Sequence, residues 1–292
     1  MLLRPATCAV LHAARAASFA LRSNRHATPS VLTNAPSHRL SPNALRRDWI
    51  AIFQEFSTTT NKSKDTEPNP LSKDAGVPTA SDPRVSEILE LIEQSRVEGD
   101  NERELEQSLE LYDLLKQRSQ QDADVFEVAF GIARIYDDQL EDGETAIKYY
   151  EEALEILEAI STEVTAWGAY MRVTTFGALA VCYEKLSRPE EAAKYFEDAI
   201  GAYEEHCDQA PTLDDGEADD VSDSDVSLLA DLNATAAMIH YHYAGNLLAQ
   251  DRWDEAKTVT EIALVLAENS SMPAGDLEEL QQCIHDLWLE MD

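Results

Sequence analysis

From Val85 onward the apolar positions recur at helical spacing. Val85, Ile88, Leu89 and Ile92 fall at i, i+3, i+4 and i+7, the stripe of an amphipathic helix, and Gly99-Asp100-Asn101 ends it. A partner helix follows, with Leu105, Leu109, Tyr112 and Leu115 on one face. The same alternation predicts a second pair over 123–140 and 143–160, turning at Glu141-Asp142-Gly143. A third pair is predicted over 163–186 and 188–206, its second helix opened by Ser187-Arg188-Pro189-Glu190 in the spacing of a capping box. A fourth is predicted over 226–250 and 252–269, with Asp251 as N-cap. A last helix over 272–291, capped by Ser271, turns Leu277, Leu280, Ile284 and Leu287 inward to cover the open end. The predicted fold class is therefore all-α: about four antiparallel helix pairs and a C-terminal capping helix.

A finer pattern lies inside the pairs. Ala180 and Tyr183 stand three apart, and Ala192, Phe196 and Ala199 begin nine residues after Tyr183. Ala133 and Tyr136, then Ala146, Tyr150 and Ala153, repeat it upstream. Ala244 and Leu247, then Ala256, Thr260 and Ala263, repeat it more weakly downstream. Small residues let two antiparallel helices approach closely, and the large residue one turn on fills the gap they leave. In the first pair Ser108, Tyr112 and Leu115 occupy the small-aromatic-small positions, as in a degenerate terminal repeat. Tyr136 to Ala146 spans ten residues where Tyr183 to Ala192 spans nine, which predicts a turn one residue longer.

These residues resemble the tetratricopeptide repeat (TPR) family, an α-solenoid whose members bind other proteins. The resemblance implies that the first helix of each pair lines a groove. Ligand-facing positions carried over from it are Phe130 and Arg134, Gly177 and Val181, and Tyr241 and Gly245, with Glu127 and Glu184 in acidic walls. Family members that grip the acidic C-termini of cytosolic chaperones carry lysine, arginine and asparagine at such positions. Here only Arg134 would serve, so that clamp is not expected. Ala146 to Ala192 spans 46 residues, similar to the lengthened repeats of kinesin light chain, and Ala192 to Ala256 spans 64. The longer interval holds a loop at 208–225 with eight acids and no lysine or arginine, a block expected to be disordered.

The beginning of the chain differs in kind. Between residues 1 and 47 stand seven arginines (Arg15 and Arg22 among them), no lysine and no acid. Val10, Ala13, Ala17 and Leu21 would form an apolar stripe opposite Arg15 and Arg22. An arginine-rich, acid-free amphipathic leader has the character of a mitochondrial transit peptide, assigned to residues 1–57. Residues 58–83, punctuated by Pro68, Pro70, Pro78 and Pro83, read as a disordered linker, and 84–292 as the solenoid. Beyond residue 57 there are 54 acids against 16 basic residues, a formal charge of −38. Such a surface repels nucleic acid and anionic membranes and favours a basic partner. No stretch reaches the ~20 apolar residues of a membrane span.

Candidate chemistry is sparse. There is no phosphate-binding glycine loop, no H-E-x-x-H and no G-x-S-x-G after the leader. His240 and His242 point about 200° apart on a helix and cannot share one metal. The acidic loop fails the calcium-loop template, because Pro211 stands where the first ligand belongs if Gly216 is the sixth position. No catalytic residue, cofactor or metal is expected. The function expected is a non-catalytic protein-binding scaffold in mitochondria, most simply the matrix, for a basic partner or an extended segment. The alternatives are a respiratory-complex assembly factor similar to the mitochondrial TPR protein of complex III maturation, a cytosolic adaptor that keeps the leader, and a metal-dependent enzyme.

Overall fold

Four helical turns in the chain are built the same way. Each needs one residue in the left-handed region: Gly99 (φ 71°), Glu141 (φ 54°), Ser187 (φ 59°) and Asp251 (φ 59°). The next residue's amide then reaches back into the preceding helix: Asp100 to the Ser95 carbonyl (2.9 Å), Arg188 to Tyr183 (2.9 Å) and Arg252 to Leu247 (2.9 Å). That bond satisfies a carbonyl orphaned at the helix end. The same residue's carbonyl accepts from the amide four positions on, Glu104, Ala192 or Ala256, and so starts the next helix. Each turn thus ends one helix and begins its partner within two residues.

These turns punctuate a computed structural model that describes residues 83–119, 122–160, 166–209 and 223–291. The leader, nearly all of the linker and the centre of the acidic loop (210–222) lie outside the described residues. The helices are α1 (Pro83–Glu98), α2 (Asn101–Arg118), α3 (Ala123–Arg134), α4 (Gly143–Ile160), α5 (Ala166–Lys185), α6 (Pro189–Gln209), α7 (Asp223–Ala249), α8 (Trp253–Glu268) and α9 (Ala274–Met291). Among the described residues there is no strand. The fold is all-α, a solenoid of antiparallel helix pairs. Pro70–His206 forms one compact unit, and the residues from Cys207 on belong to another. In the first unit α1 to α5 pack in sequence order, and α6 closes against α5 by ring stacking. In the second, α8 packs along α7, and α9 lies against both.

The turn geometry corrects several expectations. Ser187 is no N-cap: it takes the left-handed position that ends α5, and Arg188 precedes α6, its guanidinium pairing with Glu191 (2.8 Å). Asp251 likewise ends α7 instead of capping α8. Ser271 does not cap α9; its amide donates to the Ala230 carbonyl (3.1 Å) and its hydroxyl bonds Asp231, tying the α8–α9 connection to α7. The extra residue between Tyr136 and Ala146 does not lengthen the turn. It is absorbed as one π-helical turn, Ile135–Gln139, in which the Leu140 amide bonds the Ile135 carbonyl (3.1 Å). A π-turn keeps every backbone donor bonded, whereas a longer loop would not.

In the first pair the degenerate triplet sits one helical turn earlier than expected. Counting four residues on from the turn residue Asp100 reaches Glu104, which occupies the place of Ala146, Ala192 and Ala256. Ser108 and Leu111 follow it on the same face, all three buried. Leu89, expected in the α1 stripe, is half exposed, and Ile88, Ile92 and Leu111 form the local core instead, with Val85, Leu115 and Val128 around it.

The small and large repeat positions share one environment. Ala133, Ala146, Ala153, Ala180, Ala192, Phe196, Ala199, Ala244, Leu247, Ala256, Thr260 and Ala263 are fully buried, and Tyr150 and Tyr183 nearly so. Tyr136 is half-buried. His240 is buried in α7, its Nδ1 against the Ala236 carbonyl (2.7 Å), and burial pushes its pKa down to about 4.

Two predictions follow from these environments. A Cβ added at Gly99 or at Gly131 meets no atom within 4 Å, so only backbone conformation distinguishes the two sites. Gly99→Ala should destabilise by about 1 kcal/mol, because φ is positive there. Gly131→Ala, inside α3, should stabilise by about 0.5–1 kcal/mol in the same denaturant titration. His240 is neutral when folded, with a pKa below its unfolded value, so stability should fall as pH drops from about 6.5 towards 4. Comparison with His240→Gln should isolate a loss of about 3 kcal/mol across that window.

Candidate protein-binding surface

The faces that could meet a partner follow from what each helix buries. In the first unit, α3 and α5 are the first helices of their pairs. On α3, Glu127 is exposed and Arg134 is half-buried, 3.9 Å from Asp138. On α5, Val181 and Glu184 are half-buried, and Gly177 is buried. Phe130 departs from the expected surface position. It is only 2% exposed, its ring centroid 5.2 Å from Tyr150 and 6.0 Å from Phe126, so it belongs to the core between α3 and α4. An aromatic at that place is worth more buried than offered to a ligand. In the second unit Tyr241 is half-buried, edge-on to His242 (5.5 Å) and hydrogen-bonded with the Cys283 thiol. Gly245 has open space where a Cβ would stand.

Behind these faces runs a line of tyrosines. Tyr136 stacks on Tyr149 (5.7 Å, 11°) and Tyr183 on Tyr195 (5.2 Å, 9°). Tyr149 and Tyr195 each stand three residues after the small residue of their helix, Ala146 and Ala192. That shared offset was the signal by which sequence could have found them. The pair α1–α2 answers with a polar contact at the same two places, Ser95 Oγ donating to Gln107 Oε1 (2.9 Å). The pair α7–α8 answers with Leu247 and Val259, both buried. Tyr195 reaches across to α4, where its hydroxyl donates to Glu151 (3.2 Å). Lys116 bridges from α2 to Glu152 of α4, and burial together with that carboxylate pushes the neighbouring Tyr112 phenol up to about 12.

The π-turn has a second consequence. It carries Asp137, 7% exposed, against α5, where Lys185 Nζ lies 2.5 and 2.7 Å from its two carboxylate oxygens. The buried Cys182 thiol hydrogen-bonds to the same carboxylate, and burial first, then the Asp137 charge, drives its pKa up. A thiol so placed is packing, not a nucleophile. This cluster joins the second helix pair to the third. Among the described residues no group of three His, Cys, Asp or Glu could hold a metal ion, and no helix is long and apolar enough to cross a membrane.

The Asp137–Lys185 pair yields a quantitative expectation. Lys185→Met leaves a buried carboxylate without its cation and should cost about 2 kcal/mol, below the full cost of a buried pair because Lys185 is 30% exposed. Adding Asp137→Leu should recover most of that loss. Unfolding of both variants by denaturant measures it; additive costs in the double variant would mean the pair is not coupled.

With this geometry in place, the comparisons with known proteins are narrow. No curated protein sequence matches the chain significantly. The solved structure of BtubC (BKLC) from P. vanneervenii superposes with a TM-score of 0.52 over 85% of this chain and 84% of that one, at 17% identity. That likeness is one of fold. Residues 126–156 and 173–206 match the sequence profile described as tetratricopeptide repeat. The matches fall on α3–α4 and α5–α6, the pairs that carry the stacked tyrosines, and both segments are tetratricopeptide repeats.

Proposed function

We propose that this chain is a non-catalytic, protein-binding scaffold of mitochondria, an assembly or chaperone-type factor for a partner that is basic or offers an extended segment. The two tetratricopeptide repeats carry the reading, since helix-pair repeats of this kind present extended surfaces to other proteins. The address rests on the leader, whose seven arginines stand without a single acid up to residue 47. The nature of the partner rests on charge: a surface this acidic steers cationic proteins towards itself and turns nucleic acid away. With Phe130 committed to the core, Glu127, Arg134, Val181 and Glu184 are the groove candidates of the first unit, and Tyr241 and Gly245 those of the second. A role in respiratory-complex assembly agrees with the address and the lengthened repeats.

A fusion of residues 1–60 to a fluorescent reporter should enter mitochondria, and replacing Arg15 and Arg22 with glutamate should leave it in the cytosol. Cytosolic fluorescence from the unmodified fusion would overturn the address. Association of the processed protein with its captured partner should slow steeply as salt rises to physiological strength, where charges are screened beyond about 8 Å. Association that is indifferent to salt would remove charge from the account of recognition.

A further inference from the structure

One concave feature of the first unit lies away from the groove positions. Glu158 of α4, Arg172 and Phe176 of α5, and Asp198, Ala202 and Glu205 of α6 line a cleft of about 380 Å³, wide open to solvent. On α5, Phe176 and Arg172 project roughly 140° and 180° from Val181, so the cleft opens between the second helices of two successive pairs. Its lining is not a uniform acidic face. An aromatic ring and a methyl group supply apolar surface, and three carboxylates stand around them against one guanidinium. Arg172 lies 3.8 Å from Glu205, a loose pair with Glu205 half exposed. Neither Glu158 nor Asp198 forms an ion pair among the described residues. Lys194, one turn before Asp198, sits over the Tyr195 ring (5.2 Å) and reaches the Asp198 carboxylate only as a nearby charge, without an ion pair. Asp198 is half-buried, and burial raises its pKa against the opposing charge of Lys194.

We propose that this cleft receives an arginine side chain from an extended basic segment of a protein partner. The inference rests on the scaffold reading and adds to it a second docking face on the second helices of the pairs. The chemistry selects the occupant. A planar guanidinium can lie against the Phe176 ring, whose other neighbour is the tilted Tyr195 ring at 6.4 Å, while its edge donates to Asp198 and Glu158, the two carboxylates of the cleft that form no ion pair among the described residues. An ammonium is strongly hydrated and lacks the planar edge, so lysine fits less well. A small molecule would find too little enclosure in so open a cleft. Arg172 marks the cleft's preference from within, since a guanidinium already occupies its Glu205 side.

Fluorescence anisotropy on the full chain, with a labelled arginine-rich, acid-free peptide as probe, tests the assignment. Asp198→Asn should weaken binding roughly tenfold, and Phe176→Leu, which keeps the apolar bulk, should weaken it several-fold. Arg172→Gln should tighten it by removing the competing guanidinium. Glu93→Gln on α1 and Arg84→Gln, which change charge by the same amounts elsewhere, should each change affinity less than twofold. Substituting citrulline for arginine in the peptide should abolish binding, and lysine should reduce it. Equal binding by the parent and Asp198→Asn, or equal effects from the distant charge variants, would overturn the cleft assignment. The scaffold reading is judged separately, by capture of partners from isolated mitochondria. Capture that persists with Asp198→Asn while the peptide fails to bind removes the cleft and leaves the scaffold standing; an absence of any captured protein removes the scaffold.

Discussion

The two-residue turn with one left-handed residue is the constraint on which the rest of this molecule depends. Because the amide after Gly99, Glu141, Ser187 or Asp251 bonds back into the preceding helix, the rotational phase of the next helix is fixed. Phase decides which residues face the partner helix. Ala192 and Ala256, and Glu104 in the degenerate pair, are inward because each lies four residues beyond such a turn. Three of these turns spend strain on a residue with a Cβ, at about 1–2 kcal/mol each, which the packing they align must exceed.

With phase fixed, the repeats differ in what fills identical places. The places held by Ser95 and Gln107 in α1–α2 hold a tyrosine stack in the next two pairs and the buried Leu247 and Val259 in α7–α8. These substitutions keep the helices paired while changing how tightly they bind one another. Among the described residues, the π-turn at Ile135–Gln139 is the one departure in phase. It inserts a residue without breaking the backbone ladder, and it delivers Asp137 to Lys185 and Cys182 on the following pair. A buried carboxylate is tolerated there because both of its oxygens are matched by one ammonium.

Charge and shape divide the functional surface. In the function proposed above, the long-range field of so acidic a chain acts on the rate of encounter with a basic partner, whereas bound lifetime depends on desolvated local contacts. Phe130 illustrates the distinction. A sequence offset places it at a groove, but its ring is consumed by Tyr150 and Phe126, so it stabilises the scaffold that others use. The Phe176 cleft is the converse case: a half-buried aromatic stands at the surface beside three carboxylates and one guanidinium.

By itself the sequence determined the helical class, the pairing of helices and the small and large positions at their crossings. Those features follow from local periodicity and from steric fit between neighbours in the chain. It also displayed the contrast between an arginine-rich leader and an acidic remainder. Tertiary structure alone decided the sense of the turns, because Ser187 and Asp251 satisfy capping statistics in either direction until the backbone bonds are known. It decided where the tenth residue after Tyr136 goes, since a loop and a π-turn have the same length in sequence. It placed Glu104, rather than Ser108, opposite the first helix, and put Phe130 in the core. Tyr149 and Tyr195 were legible through their shared offset from Ala146 and Ala192, but the Asp137–Lys185 pair was hidden: its members lie on different helix pairs, 48 residues apart, and nothing periodic in the chain links them.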